Sequence, residues 1–233
     1  PEIIYNPDLK EYYLFVSYDP LMTTYNVRVG RSDKAEGPFI DYFGKELKDT
    51  TNNFPILTAP YRFKSHPGWA GTAHCAVFTS DDGQYFMAHQ GRLSPQNQMM
   101  DLHVRQVFFT KDGWPVVSPE RYAGSNPREF SAADLVGEWE IIRVQEPLYE
   151  RKQEAGQILW GEGELQDEEW NMSHLLYLEK DGKLGEDQGT WDFAKEDQSL
   201  QLTLNGEVVK NLIVFAGHDW ENETETVLFT GLD

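Results

Sequence analysis

Apolar and polar residues alternate along the first quarter of the chain in the way that β-strands require. In Tyr12–Tyr18, every second side chain falls on the same face of an extended segment, and both faces are largely apolar. This pattern predicts a strand that is covered on both sides. Glu2–Tyr5 is a shorter apolar piece before it, and Tyr25–Arg31 alternates more clearly after it. Together they predict a meander of short strands.

A similar order recurs further along the chain. Ala73–Thr79, Tyr85–Gln90 and Leu102–Phe109 are predicted strands, and an Asp-Gly turn separates the last of them from Val116-Val117. Two meanders of about four strands each, neither with a core of its own, are typical of stacked propeller blades. A single β-sandwich fits the same pattern. The long polar connection Lys45–Pro67 lies between the two meanders, and connections of this length are often functional.

The composition changes near residue 124, where a Gly-Ser-Asn-Pro sequence predicts a linker over residues 125–131. The strand that follows opens with Gly137-Glu138-Trp139, as lipocalin-like barrels do. Hairpin signals at Lys180–Lys183 and Asn205-Gly206 predict a small antiparallel β-barrel over residues 132–233. Ser131–Leu135 is expected to form a single helical turn, and no helix of ordinary length is predicted. The predicted strands of this part are His174–Glu179, Thr190–Ala194, Leu200–Leu204, Leu212–Phe215 and Thr226–Thr230.

Charge narrows the range of partners. The 233 residues carry a formal net charge of −19, which repels nucleic acid and anionic membrane surfaces, so neither is expected as a partner. No apolar run approaches the ~20 residues that cross a bilayer. An uncharged ligand fits this surface better. The single cysteine allows no internal disulfide. Acidic residues crowd Gly161–Glu169 and Asp219–Glu225, which favours a barrel that braces its neighbour over one that binds sugar.

Small residues surround one histidine in Gly68–Phe78, and His74 is therefore the first candidate for chemistry. A neutral imidazole there can bind a metal ion or a water, although a core histidine bonded to a carbonyl is the simpler explanation from the residues alone. Cys75 is expected to be a small buried apolar group and not a nucleophile. The chain contains no phosphate-binding loop, dinucleotide fingerprint, zinc motif or esterase elbow.

Trp69 and His89 are the candidate substrate-binding residues. An exposed indole in a Gly-rich loop offers a flat face to a sugar ring, but Trp69 could equally be a packing lid. His89 could orient a group of the site or only cap a strand end. Arg28 and Arg105 lie inside strand patterns, where a buried guanidinium must find acceptors, so a structural ion pair is expected for each.

Three segments resemble the arabinanases of glycoside hydrolase family 43. Tyr12–Phe39 is similar to the fourth propeller blade of that family, and Gly71–Arg92 and Leu102–Gly124 are similar to the fifth. Residues 132–233 resemble the additional C-terminal barrel of the larger members. The resemblance implies an all-β fold, in which residues 1–124 are two blades of a five-bladed β-propeller and a lipocalin-like β-barrel follows.

The resemblance also implies an activity, namely hydrolysis of α-1,5-linked L-arabinan with inversion, endo or exo, by a secreted or periplasmic glycosidase. The family uses two aspartates and one glutamate, and its general acid is expected two residues before Pro1. We therefore expect no catalytic carboxylate in this chain, and the N-terminal part of the same protein is expected as its partner. Glu2 is no substitute, because it faces the opposite way in a strand. His74 matches the family histidine that ligates an axial Ca²⁺ surrounded by water.

Two departures from the family are visible near that histidine. Many relatives have Pro-Gly where Thr72-Ala73 stands, and Asn where Cys75 stands, which changes the expected loop shape and substrate contacts. Alternative functions are an exo-acting arabinosidase or β-xylosidase of the same propeller class, or a non-catalytic carbohydrate-binding protein.

Overall fold

The computed structural model describes residues 1–49, 52–95, 98–145, 165 and 167–232. In these residues the chain is all-β, as predicted. Most of the acidic stretch Gly161–Glu169 lies outside them. No helix in the described part of the chain is long and apolar enough to cross a bilayer. The first ten strands are β1 (Glu2–Asn6), β2 (Glu11–Tyr18), β3 (Asn26–Ser32), β4 (Ile56–Thr58), β5 (Tyr61–Arg62), β6 (Trp69–Ala70), β7 (Ala76–Thr79), β8 (Tyr85–Leu93), β9 (Asp101–Phe109) and β10 (Pro115–Val117).

The remaining strands belong mostly to the C-terminal half. They are β11 (Gly137–Ile141), β12 (Asn171–Met172), β13 (His174–Leu178), β14 (Lys183–Leu184), β15 (Gly189–Ala194), β16 (Ser199–Leu204), β17 (Glu207–Asp219) and β18 (Thr224–Thr230). Short 3₁₀ turns occur at Ala132–Leu135, Asp167–Glu169, Gly185–Asp187 and Lys195–Asp197. The first of these is the single helical turn predicted at Ser131–Leu135.

The chain divides into two compact units that do not follow chain order. The first unit contains Pro1–Val104 and Ile142–Ser173, and the second contains Arg105–Ile141 and His174–Asp233. One division falls inside β9. The domain boundaries expected from the sequence, 1–124, 125–131 and 132–233, stay a prediction.

The first sheet of the first unit is an antiparallel meander in the order β1-β2-β3-β4. Tyr13 pairs with Arg31, and Phe15 pairs with Val29. The side chains of Tyr13 and Phe15 are fully buried, whereas the intervening positions of β2 are partly exposed. The alternation in Tyr12–Tyr18 therefore predicted the strand correctly, but the expected cover on both sides is wrong, because Tyr13 and Phe15 on one face are fully buried and the other face is only partly covered.

The long connection Lys45–Pro67 contains strands that the sequence pattern did not predict. β4 and β5 lie within it, and β6 follows it directly. β6 pairs with both β5 and β8, and β5 also pairs with β12 in parallel. Asn171 of β12 donates a hydrogen bond from its side-chain amide to the Pro60 carbonyl at 2.8 Å, which fastens β12 to this sheet.

The second unit holds a seven-stranded antiparallel sheet in the order β11-β13-β14-β15-β16-β17-β18. Its core is a cluster of buried apolar side chains, among them Leu178 and Leu200, which are fully buried. The Trp139 ring on β11 lies 5.2 Å from the Phe229 ring on β18, so side chains of the first and last strands meet across the core. The sheet thus curls as the predicted barrel requires. Asn205 and Gly206 both have positive φ, at 50° and 88°, which is the type I′ geometry expected of an Asn-Gly hairpin.

Candidate functional site

His74 lies in the connection between β6 and β7, and not in the strand predicted over Ala73–Thr79. Its backbone has φ 58°, the left-handed region that a non-glycine residue occupies only at a cost. The His74 amide donates a hydrogen bond to Ser17 Oγ at 3.0 Å, which fixes this backbone against the end of β2. The imidazole is exposed. The loop therefore presents the ring outward and does not bury it in a core.

The small residues before His74 allow two backbone segments to approach each other. The Gly71 amide donates to the Thr23 carbonyl at 2.8 Å, and a Cβ at Gly71 would lie 2.7 Å from the Leu21 carbonyl oxygen. Gly71 also has φ +59°. Ala73 is fully buried, and its carbonyl accepts a hydrogen bond from the Gln90 amide at 3.0 Å. Any larger residue at position 71 would displace the loop that carries His74.

The surroundings of His74 fit one imidazole ligand with water completing the shell. Among the described residues, one group of three side chains lies close enough together to share a metal ion, and it consists of Glu120, Asp219 and Glu221. His74 is not part of this group. Ca²⁺ prefers oxygen ligands, so a single nitrogen with waters around it would form a weak, hydrated site. The exposed ring leaves room for such waters. The predicted role of His74 as a metal ligand stays a prediction.

Trp69 and His89 come together through His103. The Trp69 and His103 rings meet edge to face at 4.4 Å between centroids, and the His89 and His103 rings lie 5.2 Å apart. Trp69 is only 5% exposed and lies in β6. The expectation of an exposed indole in a loop is therefore wrong. The burial of Trp69 favours the packing alternative, because no face of the indole is open to a sugar ring.

His89 is also buried, with 1% of its surface exposed, in the middle of β8. Its Nδ1 lies 2.7 Å from the carbonyl of Gln90. The ring of His103 occupies space that a side chain at position 91 would need, since a Cβ at Gly91 would lie 2.6 Å from His103 Cε1. The Trp69–His103–His89 row is therefore tightly packed. The substrate-binding role of Trp69 and His89 stays a prediction.

Cys75 follows the expectation of an unreactive thiol. Burial raises the pKa of the Cys75 thiol to about 11. A thiol with this pKa is almost wholly protonated at neutral pH, whereas the nucleophilic form is the thiolate. Cys75 is therefore poorly suited to nucleophilic catalysis.

Arg28 is the centre of a buried polar network at one end of the first sheet. Its side chain is 1% exposed and lies 3.4 Å from the Asp19 carboxylate. Its Nε donates to Asn26 Oδ1 at 2.9 Å, and its Nη1 donates to the Asn53 carbonyl at 3.3 Å. Asn53 in turn donates to the Asp41 carboxylate at 3.0 Å. The expected structural ion pair is confirmed for Arg28.

Arg105 donates hydrogen bonds to two backbone carbonyls. Its Nη1 donates to Ser118 O at 2.9 Å and also to Pro119 O. Burial, and then the neighbouring Glu221 carboxylate, raise the pKa of Glu120 to about 8, although the charge of Arg105 acts in the opposite direction. Carboxylate oxygens of Glu120, Asp219 and Glu221 lie within 4.8 Å of one another. This carboxylate cluster was not predicted.

Residues 119–233 match the family GH43_C, described as a C-terminal lipocalin-like domain. The chain is also 31% identical over 163 residues to the extracellular endo-α-(1→5)-L-arabinanase 2 of Bacillus subtilis, a match that covers 61% of this chain and 35% of that protein. It is 29% identical over 160 residues to the extracellular endo-α-(1→5)-L-arabinanase of Thermotoga petrophila, covering 61% of this chain and 34% of that protein.

Residues 119–233 belong to the GH43_C family of C-terminal lipocalin-like domains.

Solved structures support the fold of this chain. The endo-1,5-α-L-arabinanase of Thermotoga petrophila superposes with a TM-score of 0.80 at 23% identity, covering 99% of this chain and 51% of that one. A family 43 protein of Bacillus licheniformis gives a TM-score of 0.79 at 23% identity, covering 99% and 52%. The predicted fold, part of a propeller followed by a β-barrel, is confirmed. The chain spans about one third of the curated relatives and about half of these solved structures.

Two polar groups were not predicted from the sequence. His103 had no distinguishing neighbours in the sequence, and only the sheet brings it between Trp69 and His89. The acidic stretch Asp219–Glu225 was interpreted only as a sign that the barrel braces its neighbour and does not bind sugar. Its proximity to Glu120 carries no sequence signal, because the two segments are far apart along the chain.

Proposed function

We propose that this chain is part of an extracellular hydrolase of α-1,5-linked L-arabinan. The observation that carries the proposal is the 31% identity over 163 residues with the Bacillus subtilis protein named as an extracellular endo-arabinanase. The substrate is arabinan or an arabino-oligosaccharide, and cleavage inverts the anomeric centre. Inversion needs one carboxylic acid to protonate the leaving oxygen and one carboxylate to activate water across the ring. Both groups belong to residues N-terminal to Pro1 in this proposal.

The contribution of this chain is the loop that presents His74. In the proposal, the His74 imidazole would hold one hydrated Ca²⁺, and the ion would supply fixed positive charge close to the bound substrate. Two hydrogen bonds hold the loop. The His74 amide donates to Ser17 Oγ, and the Gly71 amide donates to the Thr23 carbonyl. This explains why small residues crowd the histidine. The negative net charge of −19 agrees with an uncharged polysaccharide as substrate.

The test of function is a chimaera in which this chain replaces the corresponding C-terminal part of the Bacillus subtilis arabinanase. We expect the chimaera to cleave linear α-1,5-arabinan and to leave xylan intact. Products of mixed length indicate endo action, and arabinose as the sole product indicates exo action. Cleavage of xylo-oligosaccharides with no action on arabinan would contradict the proposal, as would arabinan binding without hydrolysis. Folding of the chimaera is checked by circular dichroism, with the parent enzyme as control.

Two replacements of His74 test its backbone strain and its proposed metal binding separately. In EDTA, His74→Gly is expected to increase the free energy of unfolding by about 1 kcal/mol, because glycine adopts φ 58° without the Cβ clash. His74→Ala keeps the Cβ and is expected to unfold with nearly the wild-type free energy. Urea unfolding measures both variants. Ca²⁺ is expected to increase the free energy of unfolding of the wild type. If His74 ligates Ca²⁺, His74→Gly and His74→Ala lose the same part of this increase. Full retention of that increase would exclude His74 as a ligand.

A further inference from the structure

The carboxylate cluster lies where two distant segments of the second unit meet. Glu120 follows β10, while Asp219 ends β17 and Glu221 lies in the turn before β18. Two hydrogen bonds hold the segments together. Trp220 Nε1 donates to the Arg121 carbonyl at 2.9 Å, and Thr230 Oγ1 donates to the Val117 carbonyl at 2.8 Å. The three carboxylates are thus fixed near one another by the fold.

Glu120 is the observation that points to a ligand. Its side chain is only 4% exposed, and its Oε2 is buried without a hydrogen-bond partner among the described residues. The backbone of Glu120 is held on both sides, because its amide donates to Ser118 Oγ at 3.2 Å and its carbonyl accepts from the same hydroxyl at 2.8 Å. Its carboxylate points into the group formed with Asp219 and Glu221. A buried carboxylate oxygen without a partner is costly unless something compensates it.

The spacing of the oxygens matches one bound cation. Ca²⁺ holds oxygen ligands at about 2.3–2.6 Å, so two ligands of one ion lie at most about 5 Å apart. The three carboxylates each offer an oxygen within 4.8 Å of the others. No nitrogen or sulfur ligand belongs to the group, which favours a hard cation over zinc or copper. Water can complete the shell, since Asp219 and Glu221 are only partly buried.

The turn at the end of β17 fixes the orientation of Asp219. Its Oδ1 accepts hydrogen bonds from the amides of Glu221 at 3.0 Å and Asn222 at 2.9 Å, and its Oδ2 accepts from the Asn222 side chain at 2.7 Å. Asp219 Oδ1 thus has both lone pairs engaged, whereas Oδ2 accepts one hydrogen bond and keeps a second lone pair for an ion.

From these contacts we infer that Glu120, Asp219 and Glu221 form a Ca²⁺-type site that joins β10 to the β17–β18 hairpin. This site is separate from the one proposed at His74 and does not depend on the proposed arabinan activity. Its effect is structural, because the ion would fasten two segments about a hundred residues apart in the chain.

The test is cation binding by the EDTA-treated 233-residue chain and its variants. Saturating Ca²⁺ is expected to raise the unfolding temperature by roughly 5 °C, as a ligand at about 100 times its Kd does. Glu120→Gln and Asp219→Asn are each expected to weaken binding at least about 10-fold. Glu223→Gln removes an exposed charge from the same turn outside the cluster and is expected to bind like the wild type. His74→Gly is expected to keep the part of the response that Glu120→Gln removes.

Terbium luminescence gives a second readout that does not depend on stability. Tb³⁺ binds the same kind of oxygen ligands as Ca²⁺. Trp220 lies between Asp219 and Glu221 in the sequence, so its indole is the donor that would excite a bound Tb³⁺. We expect sensitised emission that excess Ca²⁺ quenches and that Glu120→Gln and Asp219→Asn each reduce. Wild-type affinity in both Glu120→Gln and Asp219→Asn would overturn the inference, as would the absence of both the thermal shift and the emission in the wild type.

Discussion

The purified 233-residue chain is expected to release no arabinose and no arabino-oligosaccharide from linear α-1,5-arabinan. Inverting hydrolysis needs two carboxyl groups on opposite sides of the sugar ring. In the proposed function, all three catalytic carboxylates belong to residues before Pro1. Loss of the general acid by itself lowers the rate by about 10²–10⁴-fold, and loss of the base removes the activated water as well. Reducing-sugar release over a long incubation measures the rate.

The chimaera with the Bacillus subtilis relative is the matched control, since it contains the same 233 residues behind a complete set of carboxylates. Activity in the chimaera together with none in the isolated chain would place the catalytic groups outside this sequence. Hydrolysis by the isolated chain would show that carboxylates within it perform catalysis, and the expected position of the general acid would be wrong.

Asp19→Ala is expected to destabilise the chain by about 3–5 kcal/mol, because it leaves a buried guanidinium without this carboxylate. Arg28 is 1% exposed and lies 3.4 Å from Asp19. Water cannot solvate the charge once the carboxylate is removed. The network also ties Asn26 and Asn53 to Arg28, so the end of the first sheet should loosen with it. Urea unfolding followed by tryptophan fluorescence measures the loss.

Asp33→Ala is the control for Asp19→Ala, since it removes the same charge from an exposed position after β3. It is expected to change the free energy of unfolding by less than about 0.5 kcal/mol. Asp19→Asn keeps an oxygen acceptor and is expected to lie between the two. Equal effects of Asp19→Ala and Asp33→Ala would mean that the ion pair contributes nothing beyond surface charge.

Most long strands could be predicted from the sequence. In Tyr12–Tyr18 and Leu200–Leu204, a period of two repeats often enough to identify the strand, although the buried face of Tyr12–Tyr18 was not identified because both of its faces are largely apolar. The Asn205-Gly206 turn was predictable from local chemistry, because these residues adopt positive φ most easily. The strands β4, β5 and β6 were missed. Each has only two or three residues, too few for any period, and they become strands because a partner lies beside them.

The candidate site, like the fold, could be predicted only in part from the sequence. The small residues around His74 are visible in the sequence, and in the structure they allow a close backbone approach, since Gly71 admits the Leu21 carbonyl. The left-handed backbone and the exposed ring of His74 had no sequence signal. Trp69 was expected in an exposed loop, but pairing with Leu93 places it in a strand where His103 covers it.

By itself, the sequence determined the all-β class, the family and the expected chemistry, because periodicity, turn residues and family motifs are all local properties of the chain. Tertiary structure decided which distant polar groups meet. Arg28 finds Asp19 because β3 returns beside β2, and Glu120 meets Asp219 and Glu221 because the end of β10 lies against the β17–β18 hairpin. Such contacts join residues that chain order separates, and only the pairing and packing of strands brings them within reach of a shared ion or charge.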